Sequence, residues 1–226
     1  MESVSALAAD LALVARTRTW FGHQSVGLNI LDGIAEVYSE NAVATPPIVS
    51  WQERGTGALI GHDFIGSNFE PIFKIEDFAA KVRGGVGAEV DVAVMKLCYV
   101  DIDANTDADA LFDRYRETLA DLEREHPDVT FVHVTAPLTT GHSPDNVNRE
   151  RYNAQMRQAY ADGGHLFDLA AIESTDPDGN RVKDRVDGDV SFAMYAGYSD
   201  DGGHLNATGS SLAAKGLVAV IADSQR

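Results

Sequence analysis

TWFGHQSVG, residues 19–27, joins a predicted strand to a predicted helix near the start of the chain. Its first three residues are β-branched or aromatic, which is typical of a short strand. The helix is predicted from about Val26 to Tyr38, because apolar residues recur there every three or four positions. A strand that passes through a turn into a helix is the repeating unit of a parallel sheet covered by helices.

The same alternation continues to the end of the chain. Further strands are predicted over residues 47–51, 91–97, 129–134 and 166–169, and further helices over residues 3–16, 72–82, 107–126, 147–160 and 207–221. Two polar stretches, 52–71 and 177–189, are predicted as loops. The pattern therefore predicts one α/β domain over residues 1–226. We expect a three-layer α/β/α sandwich whose central parallel sheet has about five strands, in a flavodoxin-like arrangement.

Charge and hydropathy narrow the possible partners. The chain has 35 acidic and 18 basic residues, which gives a formal net charge of −17. This balance disfavours nucleic acid, whose phosphates are bound by clustered Lys and Arg. No apolar run approaches the roughly 18 residues of a membrane-spanning helix. We therefore expect a small ligand, and no nucleic acid or membrane span; the sequence carries no signal for an oligomeric state.

The amino terminus and the cysteine content bear on the cellular compartment. Met1-Glu2-Ser3-Val4 lacks the basic region that opens a secretory signal peptide. Cys98 is the only cysteine, so no disulfide can form within the chain. Both features favour a cytoplasmic location for the chain as given. Removal of a signal peptide from a longer precursor would instead make the protein secreted.

Ser25 is the first candidate for chemistry, because it stands where the predicted strand turns into the helix. A hydroxyl at this turn points into the crevice where parallel sheets bind their ligands. The start of the helix also offers backbone N–H groups to a developing oxyanion. The alternative is structural, since serine is a common helix cap.

Asp201 and His204 form the second candidate group, in Asp-Asp-Gly-Gly-His-Leu-Asn, residues 200–206. A tight turn through the two glycines can fold the carboxylate back onto the imidazole. The carboxylate then fixes the ring tautomer and leaves the other ring nitrogen free as a base. One alternative is a structural turn in which Asn206 caps the last helix. A metal site is another, but no third ligand stands at a recognised spacing, so no metal is predicted.

These two groups, together, resemble the SGNH/GDSL hydrolase superfamily. That family has its nucleophilic serine after the first strand and a D-x-x-H motif before the last helix. Ser25 matches the first, although the literal G-D-S-L is His23-Gln24-Ser25-Val26 here; Asp201 and His204 match the second. The resemblance covers residues 18–220. The α/β-hydrolase fold is a poorer match, because its G-x-S-x-G elbow stands in mid-chain.

The resemblance implies a Ser25–His204–Asp201 triad and an oxyanion hole. In the family the hole uses the serine N–H, a glycine N–H after the second strand and an asparagine side chain after the third. For the glycine we expect Gly66, with Gly61 as the second candidate.

The expected asparagine is missing. The family's G-x-N-D motif aligns with residues 98–101, which places Val100 at the asparagine position. Valine has no side-chain donor. Either Asn68 supplies the missing hydrogen bond or the hole is weaker by about 3 kcal/mol of transition-state stabilisation.

Three further residues are expected to contact substrate. His23 precedes the serine by two positions, His62 lies in the predicted loop 52–71, and Tyr99 follows a strand. Each also has a structural alternative, which is packing for His23 and Tyr99 and a surface position for His62.

The resemblance implies an esterase that needs no cofactor. The expected reaction is hydrolysis of a carboxylic ester through an acyl-serine intermediate. The substrate would be a small-molecule or carbohydrate ester. The polar loops 52–71 and 177–189 favour short acyl groups, including acetyl esters of carbohydrates. The missing asparagine motivates one alternative, a catalytically degenerate SGNH-fold module that binds a carbohydrate or another small ligand.

Overall fold

The computed structural model describes residues 2–186 and 188–226 of the chain; Met1 and Asp187, the latter within the predicted loop 177–189, lie outside the described residues. Its central feature is one parallel sheet of six strands. In chain order these are β1 (Arg18–His23), β2 (Ile48–Ser50), β3 (Leu59–Phe64), β4 (Val92–Met95), β5 (Thr130–Val134) and β6 (Leu166–Phe167). Across the sheet they are ordered β2-β3-β1-β4-β5-β6.

Helices cover both faces of the sheet. They are α1 (Glu2–Val14), α2 (Val26–Glu40), α3 (Pro71–Arg83), α4 (Ala108–Glu125), α5 (Pro144–Tyr160), α6 (Leu169–Glu173) and α7 (Ala207–Ser224). One apolar core lies between the sheet and α1, α2 and α7, and a second lies between the sheet and α3, α4 and α5. A small antiparallel hairpin of β7 (Lys183–Val186) and β8 (Asp189–Phe192) stands apart from the sheet. The three-layer α/β/α sandwich predicted from the sequence is confirmed.

The number of strands differs from the prediction, because β3 lies within residues 52–71, which were predicted as a loop. Gly61, His62 and Asp63 interrupt the apolar pattern of this strand, so periodicity did not reveal it. The glycine is required by packing, since a Cβ at Gly61 would lie 2.5 Å from the Trp51 ring. The strand is interior, between β2 and β1.

The part of that predicted loop that precedes β3 lies away from Ser25. The Arg18 guanidinium, at the start of β1, donates hydrogen bonds to the carbonyls of Gly55 and Gly57 at 2.9 and 2.6 Å. These residues therefore lie at the amino end of the sheet, opposite the end at which Ser25 follows β1. They do not line a pocket at Ser25, whereas residues 65–71, the last part of the predicted loop, follow β3 at the Ser25 end of the sheet.

β1 is central and packs closely against α3. The Trp20 ring stacks on Phe78 with centroids 5.0 Å apart, and both side chains are fully buried. A Cβ at Gly22 would lie 2.8 Å from the Phe78 ring. The strand that leads into the Ser25 turn is thus held by aromatic packing directly beneath it.

Phe78→Ala tests this packing. We expect it to lower the free energy of unfolding by about 3–5 kcal/mol, because it leaves a cavity under Trp20. The matched control is Phe73→Ala in the same helix, where the ring is 48% exposed and the effect should be small. Urea unfolding followed by circular dichroism measures both, and equal losses would contradict the packing described.

Candidate active site

Ser25 occupies a strained backbone position between β1 and α2. Its φ is +48° and its ψ is −109°, a region that residues other than glycine rarely adopt. Such a conformation costs on the order of 1–3 kcal/mol and is found most often at functional sites. The side chain makes no capping hydrogen bond to α2. The structural alternative of a helix cap therefore does not hold.

The turn around Ser25 is shaped by close packing. A Cβ at Gly27 would lie 2.3 Å from the His23 ring, so this position must be glycine. The Gly27 N–H donates to the Gln24 carbonyl at 3.0 Å, and the Leu28 N–H donates to the Ser25 carbonyl at 2.8 Å. The turn is thus fixed from below by His23 and along its backbone by two hydrogen bonds.

Asp201 is the hydrogen-bond centre of the loop before α7. Its Oδ1 accepts the backbone N–H groups of Gly203 and His204 at 2.9 and 2.8 Å, and its Oδ2 lies 2.7 Å from His204 Nδ1. The pKa of Asp201 lies well below its usual range. The largest cause is the hydrogen bond from the backbone N–H of His204, followed by the one from Gly203 and then by the contact with the His204 ring. The carboxylate therefore stays ionised and directs Nε2 of the ring outward.

His204 completes a chain of three side chains. Its Nε2 lies 2.6 Å from Ser25 Oγ, across a separation of 179 residues in sequence. Ser25 follows the carboxyl end of β1, and the loop after β5 supports the other partner, since the Thr140 N–H donates to the Gly202 carbonyl at 2.9 Å. The sequence prediction placed both groups at this edge of the sheet, and the structure brings them into contact.

The sequence itself matches no known family profile and no curated protein. Similar solved structures do exist. A protein from Bacteroides fragilis, classed as an acylhydrolase, superposes with a TM-score of 0.61 at 14% identity, covering 93% of this chain and 88% of its own. A protein from Desulfitobacterium hafniense, classed as a lipolytic protein of the G-D-S-L family, superposes with a TM-score of 0.51 at 9% identity, covering 90% of this chain and 99% of its own. The chain has the SGNH/GDSL hydrolase fold. At these identities the likeness establishes the fold alone.

The expected SGNH oxyanion donors are only partly in place. The Gly66 N–H donates to Asp77 Oδ2 at 2.8 Å, on α3. It is therefore engaged, and its assignment as an oxyanion donor conflicts with the structure. Gly61, the second candidate, lies inside β3 against Trp51 and is excluded too. Among the described residues, no acceptor binds the Ser25 N–H, so this donor is free.

Asn68, the proposed substitute for the missing family asparagine, stands in the exposed loop between β3 and α3. Its Oδ1 accepts a hydrogen bond from Lys74 Nζ at 2.8 Å. The same ammonium pairs with the buried Asp101 at 2.7 Å. Val100 lies in a short 3-10 turn and offers no side-chain donor, as the sequence predicted.

The three residues expected to contact substrate have different environments. His23 is fully buried, and its Nε2 lies 3.2 Å from His62 Nδ1. It packs beneath the site, so a substrate contact is wrong for His23. His62 is half-buried and lines a cavity of about 200 Å³ with Ser50 and Phe64. Tyr99 is half-buried and stands edge-on to His204, with ring centroids 5.8 Å apart.

Lys74 and Asp101 are the parts of the site that sequence reasoning missed. Lys74 lies on the buried side of α3, where its neighbours Ile75 and Phe78 belong to the core. A charge at an apolar helical position is the signal that could have drawn attention to it, because buried lysines are nearly always paired. The partner, however, is 27 residues away and was not identifiable from spacing.

Among residues 2–186 and 188–226, no three His, Cys, Asp or Glu side chains converge as metal ligands would. Within the same part of the chain, no helix is long and apolar enough to cross a membrane.

Asp201→Asn tests the triad. An asparagine cannot hold the His204 ring in the tautomer that leaves Nε2 as a base, and we expect kcat to fall by about 10⁴. The matched control is Asp200→Asn, a neighbouring carboxylate that does not contact His204. The hydrolysis rate of p-nitrophenyl butyrate measures both, and a loss of less than tenfold in Asp201→Asn would contradict the assignment.

His23 gives a pH prediction for stability. Burial, followed by the charges of Lys96 and His62, lowers the pKa of His23 to about 3. Since the folded pKa is below the unfolded value, the full stability exists above the unfolded pKa and is lost as pH falls toward 3. We expect wild type to lose more stability than His23→Gln between about pH 7 and pH 4.5. Urea unfolding at both pH values measures this, with exposed His142→Gln as control; identical losses in all three proteins would contradict it.

Proposed function

We propose that this protein is a serine hydrolase that cleaves carboxylic ester bonds. The observation that carries the proposal is the chain of contacts from Ser25 Oγ to His204 Nε2 at 2.6 Å and from His204 Nδ1 to Asp201 at 2.7 Å. Nucleophile, base and orienting carboxylate at hydrogen-bond distance are the arrangement by which a serine hydroxyl is activated.

The reaction proceeds in two steps. His204 Nε2 takes the proton from the Ser25 hydroxyl while Oγ attacks the ester carbonyl carbon. The tetrahedral intermediate collapses to an acyl-serine as His204 returns the proton to the leaving alcohol. Water, deprotonated by the same ring nitrogen, then attacks the acyl-serine and releases the acid. Throughout, the ionised Asp201 stabilises the imidazolium that forms.

The backbone at Ser25 contributes to both steps. Its free N–H and the amino end of α2 offer positive electrostatic potential to the oxyanion. The strained φ of the serine lifts Oγ out of the helix, so that it meets His204 instead of capping α2.

The surface beside Ser25 favours an ester with an apolar portion. In the described part of the chain, most of the exposed large hydrophobic side chains lie at or after the carboxyl ends of β1 and β3. We call this set the apolar rim, and its members are Leu28, Phe64, Phe69, Ile72 and Phe73. The expectation of short acyl groups rested in part on residues 54–57, which lie at the other end of the sheet. We therefore propose a medium-length acyl chain in place of the acetyl group expected from the sequence.

Hydrolysis of a series of p-nitrophenyl esters tests the proposal. We expect kcat/KM to rise by about tenfold or more from acetate to octanoate, because each methylene placed on the apolar rim contributes up to about 0.8 kcal/mol. Ser25→Ala should abolish hydrolysis, whereas Ser39→Ala, at the far end of α2, should leave it unchanged.

Two outcomes would contradict the proposal in different ways. A preference for acetate would restore the short-acyl or acetylated-carbohydrate substrate. Full activity in Ser25→Ala would remove the mechanism, and an SGNH-fold module that binds a carbohydrate or other small ligand would then be the better interpretation.

A further inference from the structure

The proposed reaction needs an oxyanion donor besides the Ser25 N–H, and two of the positions at which the family has one do not supply it. Val100 stands at the position of the family's asparagine, and the N–H of Gly66 is bound to Asp77 at 2.8 Å. Of the donors expected from the sequence, the free Ser25 N–H and the Asn68 side chain are then left. A developing oxyanion is normally held by two or more donors in the plane of its lone pairs.

Lys74, on α3, makes an unusual set of buried polar contacts. Its side chain is fully buried, and its ammonium donates to Asp101 Oδ1 at 2.9 Å, to Asp101 Oδ2 at 2.7 Å and to Asn68 Oδ1 at 2.8 Å. Burying an ion pair carries a large desolvation penalty, which is offset only when the geometry is good and every donor is used. Such a pair is therefore strongly fixed in position.

Asp101 also connects this ion pair to the backbone of two loops. It also accepts the backbone N–H of Cys98 at 2.6 Å and that of Phe69 at 3.0 Å. The first belongs to the segment after β4, and the second to the segment after β3. Because β1 lies between β3 and β4 in the sheet, these two segments stand on either side of the Ser25 turn.

The loop after β3 is attached directly to the nucleophile turn as well. Gln24, the residue before Ser25, donates from Nε2 to the carbonyls of Ile65 and Gly66 at 3.2 and 3.1 Å. Gly66 has a φ of +48°, and a Cβ there would lie 2.8 Å from the backbone of Lys74. Asn68 is thus carried by a short loop that is anchored on one side to Ser25's neighbour and on the other to α3.

The hydrogen bond from the Lys74 ammonium determines the orientation of the Asn68 amide. Lysine can only donate, so the amide oxygen must be the atom that meets Lys74 Nζ. The amide nitrogen therefore faces the other way. Asn68 is exposed, and among the described residues no acceptor binds its N–H₂ group.

We propose that Lys74, held by Asp101, orients the Asn68 amide so that its N–H₂ group donates to the oxyanion formed at Ser25. Asn68 is then a catalytic residue, and Lys74 is a positioning residue that acts through it. This inference rests on the proposed ester hydrolysis. It explains how the site can have Val100 at the position of the family's asparagine. A donor from the loop after β3 replaces the one that the family takes from the segment after β4.

Asn68→Asp removes the donor while keeping the packing, and the uncharged Asn68→Ala, measured beside it, shows how much of the loss comes from the new carboxylate. The aspartate keeps an oxygen for Lys74 but has no N–H₂ group, so the loop should remain in place while the donor is lost. We expect kcat on p-nitrophenyl butyrate to fall by about 10²–10³, with KM changed by less than about threefold. The free energy of unfolding should stay near that of wild type. The matched control is Asn105→Asp, an exposed asparagine outside the site, which should leave kcat unchanged.

A double-mutant cycle tests Lys74 itself. Lys74→Met alone would leave Asp101 buried without a partner and could prevent folding, so the background is the neutral pair Lys74→Met with Asp101→Asn, which leaves no donor at position 74 for the Asn68 amide oxygen. Circular dichroism and urea unfolding first establish that this background folds; if it does not, Lys74→Met with Asp101→Leu serves instead, since it likewise leaves no donor at position 74 and no buried charge at position 101. In either background, Asn68→Asp should lower kcat by less than about threefold, because the amide is already misoriented.

The outcomes separate this inference from the proposed function. A wild type that hydrolyses no ester overturns both. An active wild type whose Asn68→Asp variant keeps more than a third of kcat overturns the role of Asn68 alone. An equal loss on Asn68→Asp in the wild-type and altered backgrounds shows that Lys74 does not orient the amide, and overturns its positioning role.

Discussion

The hydrogen bond between Ser25 Oγ and His204 Nε2 joins two segments 179 residues apart, and the rest of the site is arranged around it. It exists because β1 and the chain before α7 deliver their loops to the same edge of one parallel sheet. Each end is then fixed locally. The serine is lifted by a strained turn over His23, and the histidine is held by a carboxylate that also binds two backbone N–H groups of its own loop.

Buried charge is the second organising feature of this edge. Lys74 and Asp101 lie within the apolar core under α3 and connect the segments that flank the serine. Lys96 and Glu173 are two further buried ionisable residues. Burial raises the pKa of Glu173 to about 8. A buried ion pair contributes little net stability, but removal of one partner is strongly destabilising, so the two side chains are constrained to stay together. Here they lie beneath the loops that the proposed chemistry uses.

The sequence predicted the parts of the molecule that depend on local pattern. The turn at Ser25, the Asp201–His204 pair and the alternation of strands and helices all follow from short motifs and periodicity. The prediction of a loop over 52–71 was wrong because three residues break the apolar run of β3, while burial between two neighbouring strands compensates for them. The occupation of the Gly66 N–H by Asp77, the burial of His23 and the pairing of Lys74 with Asp101 depend on tertiary contacts, which one sequence does not encode in any spacing.

Reaction with a fluorophosphonate probe, followed by mass-spectrometric location of the adduct, tests the central claim most directly. Such probes trap a serine only when a neighbouring base activates it, and they need no knowledge of the natural substrate. The account predicts one adduct, on Ser25, that disappears in Ser25→Ala and forms much more slowly in Asp201→Asn. A folded protein that takes up no probe at Ser25, or that labels equally well without Asp201, would contradict the triad.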